Sequence, residues 1–428
     1  MLKNKYASTS LACLVFFVFH SFQVQANKAE SLFLTISNTV AHAYPFIVYD
    51  SNYLHLSPKA ELCFDPFFAQ LDALKNDTNA KSIQIFHLGD SHIQADFFSN
   101  RLRDHAHTFV KLPQQCLRNF IFPYSIAKTN SASAYHFDYG GIWNCTKSTK
   151  NKAQGDLGVV GMRLETQDSS AWITISHLNA EGLNQNLSTC KVYHNFGTSI
   201  PIPSLWIKQV EILGQSYPEL GYTEFQIHKK IDSLEFHFER TAKDSQILFI
   251  HGFELSTSSP TCYINNFGVN GASLKSVLAC NLLFNQLKIS QPNLIILSFG
   301  TNDIYQQFDK EIFRTQYQQL LDSIFSSLPS VSIILTTPAD FLRSKKYKVP
   351  ELKEIAKCIQ ELANTYHCAY WDFYEIGGGY NSMQKWYQAG LANKDKIHFV
   401  KNGYQIEADL FFEAFYKAYT QSINKQQP

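Results

Sequence analysis

The sequence has almost no surplus of either charge: 37 Lys and Arg stand against 36 Asp and Glu over 428 residues. A protein that grips nucleic acid along its phosphates needs a basic excess, so nucleic acid is excluded as the main partner. The sequence has no C-x-x-C pair, which removes support for a zinc or thioredoxin-like site. It also lacks internal repeats and low-complexity tracts. Its N-terminal apolar run, Leu11–Phe19, is about half of the ~20 residues that a bilayer-spanning helix needs. What is present is a hydrophobic fraction of 45%, too high for a disordered chain. The length suggests two or three folding units.

The N-terminus carries the three regions of an export signal: Lys3 and Lys5, the run Leu11–Phe19, and Val24-Gln25-Ala26 ending in a small residue. Cleavage is expected after Ala26, giving an exported chain, periplasmic or secreted, with no transmembrane span after cleavage. Cys13 lies within the run behind Ser10-Leu11-Ala12, which is not a lipidation site. Removing the signal leaves cysteines 63, 116, 145, 190, 262, 280, 358 and 368. An even count in an exported chain fits disulfides, with Cys145–Cys190 and Cys358–Cys368 as local pairings. The competing reading is buried thiols acting as small hydrophobes.

Residues 62–105 read as helix, strand, helix. Asp65-Pro66 resembles a helix start, with Phe67, Phe68, Leu71 and Leu74 at helical spacing. Ile83–Leu88 is a short buried-strand candidate that stops at Gly89-Asp90-Ser91-His92, and Ile93–His105 reads as a helix. Residues 131–262 are β-rich, with strands expected at 171–177, 204–213, 233–239 and 246–250, and they suggest an antiparallel sandwich. From Phe267 the α/β rhythm returns. Strands are expected at 293–299 and 331–336, helical stripes at Phe313–Ile324 and Leu352–Leu362, and a last helix after Gly403. The simplest organisation is one α/β domain interrupted by a β-sandwich.

Four short motifs stand where an open parallel sheet keeps its ligands, beyond the carboxyl ends of strands. In Gly89-Asp90-Ser91-His92 the serine N–H opens a helix, where unpaired donors favour negative charge; the plain alternative is a capping turn. Gly268-Val-Asn-Gly271 offers small residues and free N–H groups, or a tight turn; Gly268 and Gly271 are both candidates. Asn302 of Gly300-Thr-Asn302-Asp303 can aim an amide at the same point, or cap a helix. Asp395-x-x-His398 supplies an acid and a base on one loop. A second such pair, Asp104–His107, sits on the helix beyond Ser91. At about 1.5 Å per residue it lies ~20 Å from the serine, so it reads as a solvated helix face. His87, His92 and His251 are read as packed histidines. Trp143, Trp172 and Trp206 could stack on sugars but read first as sandwich core.

Taken in order, Gly89-Asp90-Ser91, Gly271, Gly300-Thr-Asn302-Asp303 and Asp395-x-x-His398 resemble the four blocks of the SGNH (GDSL-type) hydrolase family. The resemblance covers residues from about 60 to 130 and 263 to 420. Histidine after the serine, the β-rich insertion and the stretch Phe122-Pro123-Tyr124…Thr129-Asn130 resemble the peptidoglycan O-acetylesterase branch and related exported bacterial members. The resemblance implies an SGNH-hydrolase fold, a flavodoxin-like three-layer α/β/α domain with a parallel sheet, interrupted by a carbohydrate-binding-like antiparallel β-sandwich. The parts would be a signal peptide at 1–26, hydrolase segments at 27–130 and 263–428, and the insert at 131–262. It implies a Ser91–His398–Asp395 triad and an oxyanion hole from Ser91, Gly271 and Asn302, with no metal or other cofactor. The activity the resemblance implies is removal of O-acetyl groups from a glycan, with O-acetylated peptidoglycan as the leading substrate. The alternatives are acetyl transfer or hydrolysis on an exported polysaccharide, and an inert glycan-binding protein.

Overall fold

Runs of Ile, Leu and Phe short enough for a strand and apolar on both faces can be buried only inside a parallel sheet covered on both sides. Such runs supply the middle of a five-stranded sheet: β1 (Ile83–Gly89), β2 (Cys262–Gly268), β3 (Leu294–Ser298), β4 (Ser332–Thr336) and the short edge strand β5 (Ala369–Trp371). Every neighbouring pair is parallel, in the order β2-β1-β3-β4-β5. All seven residues of β2 and all five of β4 are buried. This computed structural model describes residues 43–76, 80–110, 116–130, 135–150, 155–176, 187–197, 201–238, 246–305 and 308–426. Phe46–Pro428 form one compact unit, to which everything below belongs. The expected export signal and its cleavage point lie outside the described residues.

Helices cover both faces of the sheet. On one face α1 (Pro58–Asn76), α2 (Phe97–Val110) and α6 (Lys401–Gln426) pack on one another through aromatic pairs, Phe68–Phe415 at 5.7 Å and Phe109–Phe412 at 6.2 Å. On the other lie α3 (Leu283–Ser290), α4 (Lys310–Ser327) and α5 (Leu352–Tyr366), with Phe313, Tyr317, Leu320, Leu321 and Ile324 of α4 buried. Because β2 and β3 flank β1 on opposite sides, the chain reverses direction around β1. That switch point opens a crevice at the carboxyl ends of β1 and β3.

Between β1 and β2 the chain builds two antiparallel sheets. Leu248–Thr257 and Leu187–His194 are paired at the middle of a seven-stranded sheet that includes the short strand Phe120–Ile121. A five-stranded sheet is centred on Leu234–His237. The two meet face to face, with Phe236 of the smaller sheet against Phe225 and Phe253 of the larger at 5.9 and 4.9 Å. Sandwich strands alternate buried and outward residues, as Trp172–Ser176 does. The fold is a three-layer α/β/α domain with a parallel sheet, carrying an antiparallel β insertion.

Several local expectations are corrected. The helix expected from Asp65-Pro66 starts at Pro58, with Ser57 Oγ accepting the Ala60 N–H at 3.2 Å, and Pro66 sits in its interior. The carbonyl that Pro66 leaves without a partner belongs to Leu62, which faces solvent. The helix expected over Ile93–His105 is broken at Asp96, whose φ of 62° ends the short Ser91–Gln94 turn. Its carboxylate is buried between Arg103 and Arg118, and these charges more than offset burial and hold it below the usual range. The single strand expected at 204–213 is a hairpin, Ser204–Ile207 paired with Val210–Ile212. Lys208 and Gln209 turn it with φ of 50° and 65°, the left-handed pair that a two-residue hairpin turn requires.

All eight described cysteines are free thiols, so neither expected bridge forms. Cys145 and Cys190 lie on strands of one sheet with two others between them. Three steps of about 4.8 Å put them ~14 Å apart, twice the reach of a disulfide. Cys358 is separated from Cys368 by most of the last two turns of α5, about 12 Å of helix.

Candidate active site

The crevice gathers the four motifs. Ser91 follows β1 and opens the short Ser91–Gln94 helix, which Asp90 caps by accepting the His92 N–H at 2.9 Å. As the first helical residue, Ser91 has an N–H with no intrahelical acceptor. Its Oγ lies 2.8 Å from His398 Nε2, and His398 Nδ1 lies 2.8 Å from Asp395 Oδ2. The loop holding the last two is tightly built. Asn393 donates its N–H to the His398 carbonyl at 2.8 Å, and Lys396 turns the chain at φ 57°. Asp395 Oδ1 accepts the N–H groups of Ile397 and His398 at 2.9 and 3.0 Å. Burial raises the Asp395 carboxyl, but the His398 ring and these two N–H groups outweigh it and hold it below the usual carboxylate range. An ionised Asp395 fixes a proton on His398 Nδ1 and leaves Nε2 to accept from Ser91.

Gly271 and Gly268 separate clearly. The Gly268 N–H is consumed by Asn266 Oδ1 at 2.9 Å, and a Cβ there would lie 2.1 Å from the Gln94 backbone nitrogen. Gly268 is thus a packing glycine. Gly271 adopts φ +81° and lines the cleft, with Thr149 Cγ2 at 4.0 Å the nearest atom to a notional Cβ. Asn302, just beyond β3, donates Nδ2–H to the Ala272 carbonyl at 2.9 Å and makes only a long 3.4 Å contact with Asp90 Oδ2. Its neighbour Asp303 accepts the Leu274 N–H at 2.9 Å and so ties the Gly271 loop to the end of β3. Asp303 Oδ2 is buried without a partner. Burial raises this carboxyl to about 7, the Leu274 N–H lowering it and Asp90 raising it further.

Ser91, Gly271, Asn302 and His398 line one open cleft of about 480 Å³. Asn130, Asn270, Asn393, Phe97, Tyr305 and Tyr404 also line it. None of these six was singled out individually from the sequence. Asn130 belongs to a stretch noted there, whereas Tyr404 on α6 carried no signal at all. His92, expected merely to pack, stands behind the triad. Its ring is 5.1 Å from that of His398, its Nδ1 is 3.1 Å from the Tyr404 hydroxyl, and burial lowers it below the usual histidine range. His87 is core: it pairs with Ser298 at 2.7 Å, and burial drops it to about 3. His251 is likewise buried and drops to about 3. Asp104 and His107 lie on α2, away from this cleft. Trp143 packs edge-on against Phe238, whereas Trp172 and Trp206 are only half-buried on the outer face of the smaller sheet. Among the described residues no helix is long and apolar enough to cross a membrane.

Residues 254–406 match the GDSL-like lipase/acylhydrolase family, a span that contains Gly271, Asn302, Asp395 and His398 but not Ser91. A solved peptidoglycan O-acetylesterase structure superposes with a TM-score of 0.69 at 19% identity, covering 83% of this chain and 96% of that one. A lipase/acylhydrolase from Enterococcus faecalis aligns at 19% identity over 38% of this chain and 77% of its own, with a TM-score of 0.29. No curated protein matches. The strand order, the crevice at its switch point and the match over the second half agree: residues 254–406 are similar to the GDSL-like lipase/acylhydrolase family, within a chain whose fold is that of the solved peptidoglycan O-acetylesterase.

Proposed function

We propose that the chain is a serine esterase that removes O-acetyl groups from a glycan, O-acetylated peptidoglycan above all, acting outside the cytoplasm. The observation that carries this reading is the relay Ser91 Oγ–His398 Nε2 and His398 Nδ1–Asp395, both steps 2.8 Å, at the mouth of a cleft shared with Gly271 and Asn302. His398 Nε2 takes the Ser91 proton as Oγ attacks the acetyl carbonyl, and Asp395 stabilises the imidazolium that forms. The oxyanion is met by the N–H groups of Ser91 and Gly271 and by Asn302 Nδ2–H. His398 then protonates the departing sugar oxygen, and water, deprotonated in turn by His398, releases acetate from Ser91.

The cleft lining supports a sugar rather than a lipid chain. Three asparagine amides at 130, 270 and 393 can pair with hydroxyls, while Phe97, Tyr305 and Tyr404 offer ring faces to C–H surfaces. The similar fold of a peptidoglycan O-acetylesterase favours the acetylated cell-wall glycan over other acetyl esters. In this reading residues 27–130 and 263–428 form the hydrolase around an insert at 131–262.

Acetate release from O-acetylated peptidoglycan, measured beside acetylated xylan, tests the proposal. Wild-type protein should release acetate faster from peptidoglycan, and a Ser91→Ala variant should fall by at least about 10³. Undiminished release by Ser91→Ala sinks the mechanism. Acetyl appearing on an added glycan acceptor instead of as free acetate would make the chain a transferase.

A further inference from the structure

The Gly271 loop is held from below by one buried amide. Gln94, at the end of the short helix that Ser91 opens, is only 3% exposed, yet both ends of its side chain are engaged. Oε1 accepts the Asn270 N–H at 2.6 Å. Nε2 donates to Thr129 Oγ1, the Asn130 carbonyl and Asn130 Oδ1 at 3.0, 2.8 and 3.0 Å. Asn270 closes the ring by donating Nδ2–H to Asn130 Oδ1 at 2.6 Å.

We propose that Gln94 is a positioning residue for ester hydrolysis: by fixing Asn270, it orients the Gly271 N–H toward the oxyanion. The proposal rests on the serine-esterase reading given above. The peptide unit that bears the Gly271 N–H is the one joining Asn270 to Gly271. Its orientation follows the torsions of Asn270 and Gly271, and a glycine at φ +81° supplies little stiffness of its own. Stiffness comes instead from Asn270, whose backbone N–H and side chain are both tied into the Gln94–Asn130 ring.

The Gln94 backbone is itself immobilised. It lies against Gly268 so closely that a Cβ there would sit 2.1 Å from the Gln94 nitrogen. The preceding carbonyl, Ile93 O, accepts from Asn266 Nδ2 at 2.5 Å, so β2 grips this turn directly. Ser91 and Gly271 are thereby held to one rigid frame, three residues from Ser91 along one turn and one residue from Gly271 along the other. A donor acts on a transition state only if it is already aimed where charge develops, so this frame belongs to the chemistry as well as to the fold.

Gln94→Met keeps the volume but leaves the Asn270 N–H without an acceptor. Gln94→Asn keeps a polar amide but shortens it by one methylene. The expected result for each folded variant is a fall in kcat of about 10- to 100-fold on 4-nitrophenyl acetate with KM within about 2-fold, because a misaimed donor costs less than a deleted one. Inactivation by a phosphonate ester, which places a tetrahedral oxyanion in the same hole, should slow in parallel. A folded variant of either kind with wild-type kcat overturns the proposal. So does a rise in KM at constant kcat, or a fall in thermal stability with no fall in kcat. If Ser91→Ala is inert while the Gln94 variants are fully active, only this inference fails. If Ser91→Ala is itself active, the esterase reading fails.

Discussion

Asp303 is the group whose replacement tests the electrostatics of the site most directly. Its Oδ2 is buried with no partner although the residue as a whole is partly exposed, and burial raises the carboxyl from the usual 3.8 to about 7. The folded chain therefore keeps a proton that the unfolded chain releases between those values. Stability is full below about pH 4 and is lost as pH rises through about 7. Roughly 3 pH units at 1.36 kcal/mol each set the loss at up to about 4 kcal/mol. Asn at this position still offers Oδ1 to the Leu274 N–H, 2.9 Å away in the native chain, but carries no charge. Asp303→Asn should match the wild type within about 1 kcal/mol at pH 4 and exceed it by about 2–4 kcal/mol at pH 8, read from urea unfolding at each pH. A difference that does not change between pH 4 and 8, or an Asn variant weaker than the wild type at pH 8, refutes the reasoning.

Two further outcomes follow from the geometry of the cleft. Asn302→Ala should lower kcat by about 10²–10³ with little change in KM, measured by acetate release; a KM effect alone would make Asn302 a substrate-binding residue instead. Gly268→Ala drives a methyl group into the Gln94 backbone, 2.1 Å from its nitrogen, and should cost about 3 kcal/mol or more. Gly271→Ala meets open space and pays only the left-handed φ, about 1–2 kcal/mol. Thermal melts that rank these two glycines the other way would contradict the separation of roles.

The sequence by itself determined three of the five strands of the parallel sheet (β1, β3 and β4, but not β2 or β5), the β-rich interruption and the order of the four site motifs. Each is carried by neighbouring residues: apolar runs such as Leu294–Ser298, alternation such as Trp172–Ser176, and small polar turns such as Gly89-Asp90-Ser91. Asp104–His107 was set aside on the premise of a continuous helix, which the break at Asp96 removes; what separates the pair from the site is its place on α2, outside the cleft lining. Local pattern failed where geometry depends on a partner. A run of ten residues that reads as one strand folds back at Lys208-Gln209, and a continuous helical stripe breaks at Asp96, whose carboxylate is held by Arg103, 7 residues on, and by Arg118, 22 residues on.

Only the tertiary structure decided between Gly268 and Gly271, since the two differ in what approaches them: the Gln94 backbone at one, an open cleft at the other. It also set His92 behind His398 and closed the Gln94–Asn130–Asn270 ring, joining segments 36 and 176 residues from Gln94 in the chain. Contacts between residues so far apart leave no period or motif in sequence. They exist only once β1 and β2 lie side by side, and that pairing brings the serine turn and the glycine loop to the same end of the sheet.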